Sequence, residues 1–220
     1  MAVTNELDGR VAPQAFRLGG IPAGLAALAF VLGWTWTGWL FVGLLAANLA
    51  FFRIPKRQPP PGENLVLSPG DGRVVEVAEV QDPTGFIEGT AWRVAIFLSV
   101  FDVHINNAPL AGKVVRVTRS GSQFLAAWRA DTSTLNVQSR VDLLTPMGLK
   151  IAFVQITGLI ARRIVCYARE GDELRRGEPY GLICYGSRME FYIPARPGVS
   201  VRVKVGDRVR SGESVLAEVA

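Results

Sequence analysis

The stretch LICYGSRMEFYIP, residues 182–194, decides how this chain is read. Its two apolar-rich runs have strand composition and are too short for helices. Between them stand Gly186 and Ser187. A glycine inside a strand marks a bulge, a turn or the close approach of another backbone. The serine is then either a turn residue or a reactive hydroxyl. The rest of the chain has to decide.

Outward from that stretch the strand pattern continues. RVVEVAEV (73–80), WRVAIFLSV (92–100) and KVVRVTR (113–119) are rich in Val and Ile and bounded by Gly, Pro and Asp. Residues 139–156 read as a hairpin around Pro146-Met147-Gly148. Only SGSQFLAAWRA, residues 120–130, has a helical look. REGDELRRGEPY (169–180) and KVGDRVRSGESV (204–215) share G-D-x-x-R-x-G-E, an internal echo too brief for a solenoid. The predicted fold is mainly β over residues 64–220, an antiparallel barrel or sandwich with few short helices.

Residues 18–52 are of another kind: they carry no charged side chain. The run is too long for one spanning helix and slightly short for two full spans with a turn. Its middle, GWTWTGW (33–39), holds three tryptophans, which favour the membrane interface. Arg10 and Arg17 precede the run, and Arg53, Lys56 and Arg57 follow it. Positive charge at both ends predicts a helical hairpin, spanning or re-entrant, with its tip at 33–38 and both ends on the cytoplasmic side of the cell membrane. Residues 1–17 then form a cytoplasmic N-terminus, and RIPKRQPPPGE (53–63) a basic, proline-rich linker against anionic headgroups.

The net charge of +5 suits nucleic acid or an anionic membrane. No basic patch with interleaved aromatics follows residue 64, so nucleic acid is not an expected partner. With one histidine and two cysteines outside any metal-ligand spacing, no metal site is expected either. Cys166 and Cys184 read as buried thiols.

Three segments stand out from the strands. In SPGDGRV (68–74), Asp71 sits between two glycines, a common place for a turn aspartate. FLSVFDVHINNAPLAG (97–112) carries Asp102, Asn106, Asn107 and His104, the single histidine. Any imidazole proton transfer near neutral pH falls to His104. The third is Gly186-Ser187 itself. Asp, His and Ser together can activate a hydroxyl, but their spacing here does not prove that they meet.

Longer runs are more specific. FFRIPKR, SPGDGRV, FLSVFDVHINNAPLAGKV and QITGLIARRIVCYAREGDELRRGEPYGLICYGSRMEFYIP together resemble the phosphatidylserine decarboxylase proenzymes, of the short single-histidine bacterial and archaeal type. The resemblance covers nearly the whole chain. It implies self-cleavage between Gly186 and Ser187 into a β chain, 1–186, and an α chain, 187–220. Ser187 would become a covalent pyruvoyl group, the only cofactor, which forms a Schiff base with the amine of phosphatidylserine and leads to phosphatidylethanolamine and CO2. It further implies His104 as the base, oriented by Asp71, at the face of an anionic membrane. Arg188 is a candidate for the lipid phosphate or carboxylate. Asn107, where long-form members carry a second histidine, is a further candidate substrate contact. Ile54 and Val100 depart from the family's usual Asp and Pro. Strand edges around the α chain are compatible with a homodimer. The alternative is a membrane-anchored lipoyl- or biotinyl-like hammerhead carrier or adaptor, with Lys204 as the modified lysine.

Overall fold

The computed structural model of the chain describes residue 7 and residues 9–126, 131–159, 163–184 and 187–220. Two compact units are present, Asn5–Pro55 and Lys56–Ala220.

The first unit is a helix pair, α1 (Pro13–Val31) and α2 (Thr35–Phe51). Pro at the start of α1 lacks an N–H that would be unpaired there anyway. Past the end of α1, Gly33 takes a φ of +77°, which suits glycine, and Thr35 already belongs to α2. The tip is therefore shorter than the expected 33–38, because Thr35, Trp36 and Thr37 are helical. Small residues let the helices approach. A Cβ on Gly19 would lie 3.0 Å from Leu45, and one on Gly38 2.5 Å from Phe30. Asn48 Nδ2 donates to Ala15 O at 2.9 Å. α1 is long and apolar enough to cross a membrane.

The second unit is the predicted antiparallel β domain. In chain order it contains β1 (Leu65–Leu67), β2 (Gly72–Gln81), β3 (Thr90–Leu98), β4 (Ile105–Asn107), β5 (Gly112–Ser120), α3 (Thr132–Leu135), β6 (Gln138–Leu144) and β7 (Lys150–Ile156). There follow β8 (Arg163–Cys166), β9 (Glu173–Leu174), β10 (Pro179–Cys184), β11 (Ser187–Pro194), β12 (Val199–Val201), β13 (Arg208–Val209) and β14 (Val215–Val219). The expected hairpin around Pro146 is β6–β7. The expected helix at 120–130 is not formed in its described part. Ser120 ends β5, and Gln123 bridges Asn136, whose side-chain oxygen accepts the Leu125 N–H. Residues 127–130 lie outside the described residues.

One sheet has the order β13-β2-β3-β11-β7-β6-β5-β9; two smaller ones are β1-β14-β12 and β4-β10-β8. The core lies where the small sheets cover one face of the large one. It joins Val94, Ile96, Met189, Phe191, Phe153 and Val141 to Val66, Ala217, Tyr180 and Ile183. Strand alternation sends Arg188, Glu190 and Tyr192 to the opposite face. β11, the first strand of residues 187–220, is internal to the large sheet, whereas β12 and β13 of the same span stand at sheet edges.

The echo seen in the sequence closes both edges of the large sheet. β13 and β9 are its short strands, held in matching ways. Gly206 N–H donates to Val74 O and Gly171 N–H to Val114 O, at 2.8 and 2.9 Å. Val74 and Val114 N–H return bonds to Asp207 O and Asp172 O, at 2.9 and 2.8 Å. The strands so closed start alike, GRVVEV at 72–77 and GKVVRV at 112–117, and each carries an irregularity after its first valine. From its edges inward, β13-β2-β3-β11 mirrors β9-β5-β6-β7.

Gly72 is where this architecture leaves no room. Its φ is +149°, and an added Cβ would lie 2.1 Å from Phe97 O. Gly72→Ala should cost about 3 kcal/mol or more, read as a shifted urea midpoint. Gly148 also has a positive φ, +73°, but open space around it, so Gly148→Ala should cost about 1 kcal/mol.

Candidate active site

Strand register builds the site around Ser187. As the first residue of β11, Ser187 pairs with Leu98, the last residue of β3. On the other side of the Tyr185-Gly186 step, β10 runs antiparallel to β4, with Leu182 opposite Ile105. His104 O accepts the Ile183 N–H at 3.2 Å. One segment, 98–104, therefore reaches from the partner of Ser187 to the partner of Ile183. It brackets the Gly-Ser step and carries His104. Gly186 itself lies outside the described residues.

Ser187 is fully buried, and its Oγ has no hydrogen-bond partner among the described residues. A buried hydroxyl without a partner is rare and costs about 1–3 kcal/mol, so it calls for a reason other than stability. His104 is buried too, with Nδ1 2.9 Å from Asp102 O. The Asp102 carboxylate accepts from Ser99 N–H and Oγ–H at 2.8 and 2.6 Å, which fixes the turn before the histidine.

Asp71 lines the same cleft as Asp102, two residues before His104, and is held by a network of its own. Arg57 Nη2 donates to both its oxygens, at 2.9 and 2.7 Å, and the Ser211 N–H to Oδ1 at 2.7 Å. Burial pushes the Asp71 carboxyl above its usual range, against the pull of the Ser211 N–H and Arg57. The network continues toward β4. Ser211 Oγ donates to Asn107 Oδ1 at 2.8 Å, and Asn107 Nδ2 to Gly177 O at 2.8 Å. Asn106 Nδ2 donates to Pro69 O at 3.3 Å. Asp71 thus reaches the histidine segment through Ser211 and Asn107. The buried Asn107 amide holds two loops together and does not present itself to a ligand.

The sequence profile of the phosphatidylserine decarboxylase family matches residues 44–217. The phosphatidylserine decarboxylase proenzyme of Pelobacter propionicus is 46% identical over 177 residues, covering 80% of this chain and 79% of its own. That of Gluconacetobacter diazotrophicus is 45% identical over 206 residues, 90% of this chain and 89% of its own. That of Symbiobacterium thermophilum is 41% identical, over 94% of each chain. The chain belongs to the phosphatidylserine decarboxylase family.

As a decarboxylase of this family, the protein has no use for Lys204 as a carrier lysine. That residue opens an exposed turn, its N–H bonded to Asp207 Oδ2 at 2.9 Å. Arg188 does not face solvent or an open site. Its Nε donates to Glu190 Oε1 at 2.8 Å and its Nη2 to Glu76 Oε2 at 2.9 Å, with 2% of the residue exposed. Its charge is already compensated, which removes the basis for an anchoring role toward lipid phosphate. Burial pushes Cys184, three residues before Ser187, up to about 11, so it remains a thiol at neutral pH.

Sequence reasoning missed Arg57, Glu213 and Ser211 in this decarboxylase. Arg57 was read as one of several linker charges. The structure ties its segment to the β unit: Arg57 Nη1 bonds Glu213 Oε2 at 3.0 Å, and Pro60 O accepts from Arg176 at 2.6 Å. Only the FFRIPKR likeness singled it out. Arg57→Ala should lower stability by about 2 kcal/mol in urea titration, because it strands two carboxylates. Arg57→Lys should recover less than half, since an ammonium cannot bond Asp71 as a planar fork.

Proposed function

We propose that this decarboxylase converts phosphatidylserine to phosphatidylethanolamine and CO2, after cutting itself between Gly186 and Ser187. The observation that carries the reading is the buried, unpartnered Ser187 Oγ at the start of β11, bracketed by the segment that bears His104. The three relatives named above are proenzymes, which implies processing of the chain.

Ser187 Oγ attacks the Gly186 carbonyl, and the peptide bond becomes an ester with the Ser187 amine set free. His104 takes the hydroxyl proton. Elimination then releases Gly186 as a carboxylic acid and leaves dehydroalanine at 187. One water enters and one ammonia leaves, which makes residue 187 a pyruvoyl group. That group supplies an electron sink for the loss of CO2. The walls suit it: Ser187 has no bond to break before reacting, and its burial keeps bulk water out. His104 serves both stages as the proton carrier. Asp71 is a positioning residue, holding the 68–72 loop and, through Ser211 and Asn107, the start of β4. The helix pair of the first unit anchors the chain, with Arg10, Arg17 and Arg53 at its cytoplasmic ends.

The test is the intact mass of the purified chain under denaturing conditions, alongside CO2 release from carboxyl-labelled phosphatidylserine. The reading expects two fragments, the smaller beginning with a pyruvoyl mass. An uncut chain that releases CO2 would overturn it. His104→Ala should slow cutting about a hundredfold or more in a time course of freshly folded chain. Cutting at the normal rate would remove His104 from the role of base.

A further inference from the structure

We infer that the turn at Ser99–Asp102 and the arginines beside it form a membrane-docking surface on the β unit, built for anionic phospholipid. The inference rests on the proposed reading of the substrate as a membrane lipid.

The turn presents two apolar side chains where turns favour polar ones or glycine. Phe101 is 84% exposed and Val100 41%. They are not a loose tip. Asp102 N–H donates to Ser99 O at 3.0 Å, and the Asp102 carboxylate holds Ser99 from the other side. Most of the Phe101 ring surface meets water on this pinned turn, at a cost in apolar hydration. In a bilayer interface the same ring is favourable.

The charge around it names the partner. Arg73 pairs in register with Phe97 and with Arg208. Arg208 and Arg210 line the same cleft as Asp102. All three arginines are exposed, and none forms an ion pair among the described residues. The cleft's carboxylates do not cancel them. Asp71 and Glu213 are engaged by Arg57, and Asp102 by Ser99. Exposed cationic side chains beside an apolar wedge match an anionic headgroup layer with acyl chains beneath it. The position gives the surface a purpose. It lies in segment 98–104, which runs from the register partner of Ser187 to His104. Docking there brings a headgroup to the mouth of the site without withdrawing the lipid far from the bilayer.

The experiment labels the full chain carrying Phe101→Cys with an environment-sensitive fluorophore, with the unsubstituted chain correcting for Cys166 and Cys184. Vesicles of phosphatidylglycerol with phosphatidylcholine should shift the emission to the blue. Vesicles of phosphatidylcholine alone should shift it much less, and high salt should reverse the shift. Adding Arg208→Gln and Arg210→Gln should weaken the lipid dependence about fivefold for each arginine. In a second assay, Phe101→Ser should lower kcat/KM on bilayer phosphatidylserine about tenfold, the worth of one phenyl group withdrawn from water. It should leave turnover of a dispersed short-chain phosphatidylserine unchanged. An unshifted label on an enzyme that decarboxylates bilayer lipid would overturn the docking surface and leave the activity standing. Equal losses on both substrates, or a lipid-independent shift that grows with protein concentration, would also overturn it. The latter would assign the turn to a second copy of the chain. Failure of the unsubstituted chain on both substrates would instead overturn the activity, while the label still reports docking.

Discussion

Ser187→Ala should yield a single uncut chain of 23.9 kDa with no decarboxylase activity and a melting temperature no lower than that of the parent. The first two outcomes follow from chemistry: without Oγ nothing attacks Gly186, and no carbonyl arises at 187. The third follows from the structure. Most buried hydroxyls are bonded, and deleting one leaves its partner stranded. Ser187 Oγ has no partner among the described residues, so its removal strands none of them and relieves a desolvation cost of about 1 kcal/mol. Activity and stability should therefore part company, which is the signature of a residue kept for reaction. Mass spectrometry reads the cut, CO2 release the activity, and thermal unfolding the stability. A variant still cut at 186–187 would rule out the hydroxyl as nucleophile. A variant that merely unfolds would return Ser187 to a structural role.

Much of the fold was legible because β patterning is local. Valine-rich runs with period two, glycine punctuation and Pro146-Met147-Gly148 marked strands and a hairpin that the structure contains. Residues 120–130 misled because alanine and leucine favour helix in isolation. There the Asn136 side chain captures the Leu125 N–H and O, a long-range choice that no window of sequence shows. The 169–180 and 204–215 echo was visible, but its use was not. Only the sheet order reveals that the two copies seal opposite edges.

The site was legible in its parts and not in its wiring. His104 stood out by being alone, and Gly186-Ser187 by interrupting a strand. Asp71 stood out by its place between glycines, but the partners that hold it did not. Its bonds go to Arg57, 14 residues away, and Ser211, 140 residues away. Pairings across such separations are set by tertiary packing. Arg188 erred in the opposite direction: its place beside the serine suggested a ligand, whereas strand alternation already put it on the far face of the sheet from Ser187. The carboxylates that claim it there, at 76 and 190, could not be assigned from composition.

Those carboxylates set the second large effect. Glu190 is 1% exposed, and its bonds among the described residues are to buried or half-buried donors. Oε1 accepts from Arg188 Nε at 2.8 Å and from Ser133 Oγ at 2.5 Å, and Oε2 from Tyr192 Oη at 2.7 Å. Glu76 joins through Arg188 and Arg93. Glu190→Ala leaves the Arg188 guanidinium buried with half its compensation and strands the hydroxyls of Ser133 and Tyr192. The expected loss is about 3–5 kcal/mol, measured by urea unfolding of the uncut Ser187→Ala background so that processing does not confuse the transition. Replacing both charges together, Arg188→Met with Glu190→Leu, should recover most of it, because the cost lies in the unpaired ion and not in the lost attraction. Acid should loosen the same network. Burial alone would raise the Glu76 carboxyl, but Arg93 and Arg188 outweigh it and hold it below its usual 4.5. A depressed carboxyl gives its full stabilisation above the unfolded value and loses it as pH falls through the folded one, so unfolding should ease below about pH 4. If Arg188 instead waited for a lipid anion, Glu190→Ala would cost little stability and would alter KM for phosphatidylserine. The buried geometry predicts the reverse: a large fall in stability, with any loss of turnover following from slower cutting at Ser187 next door.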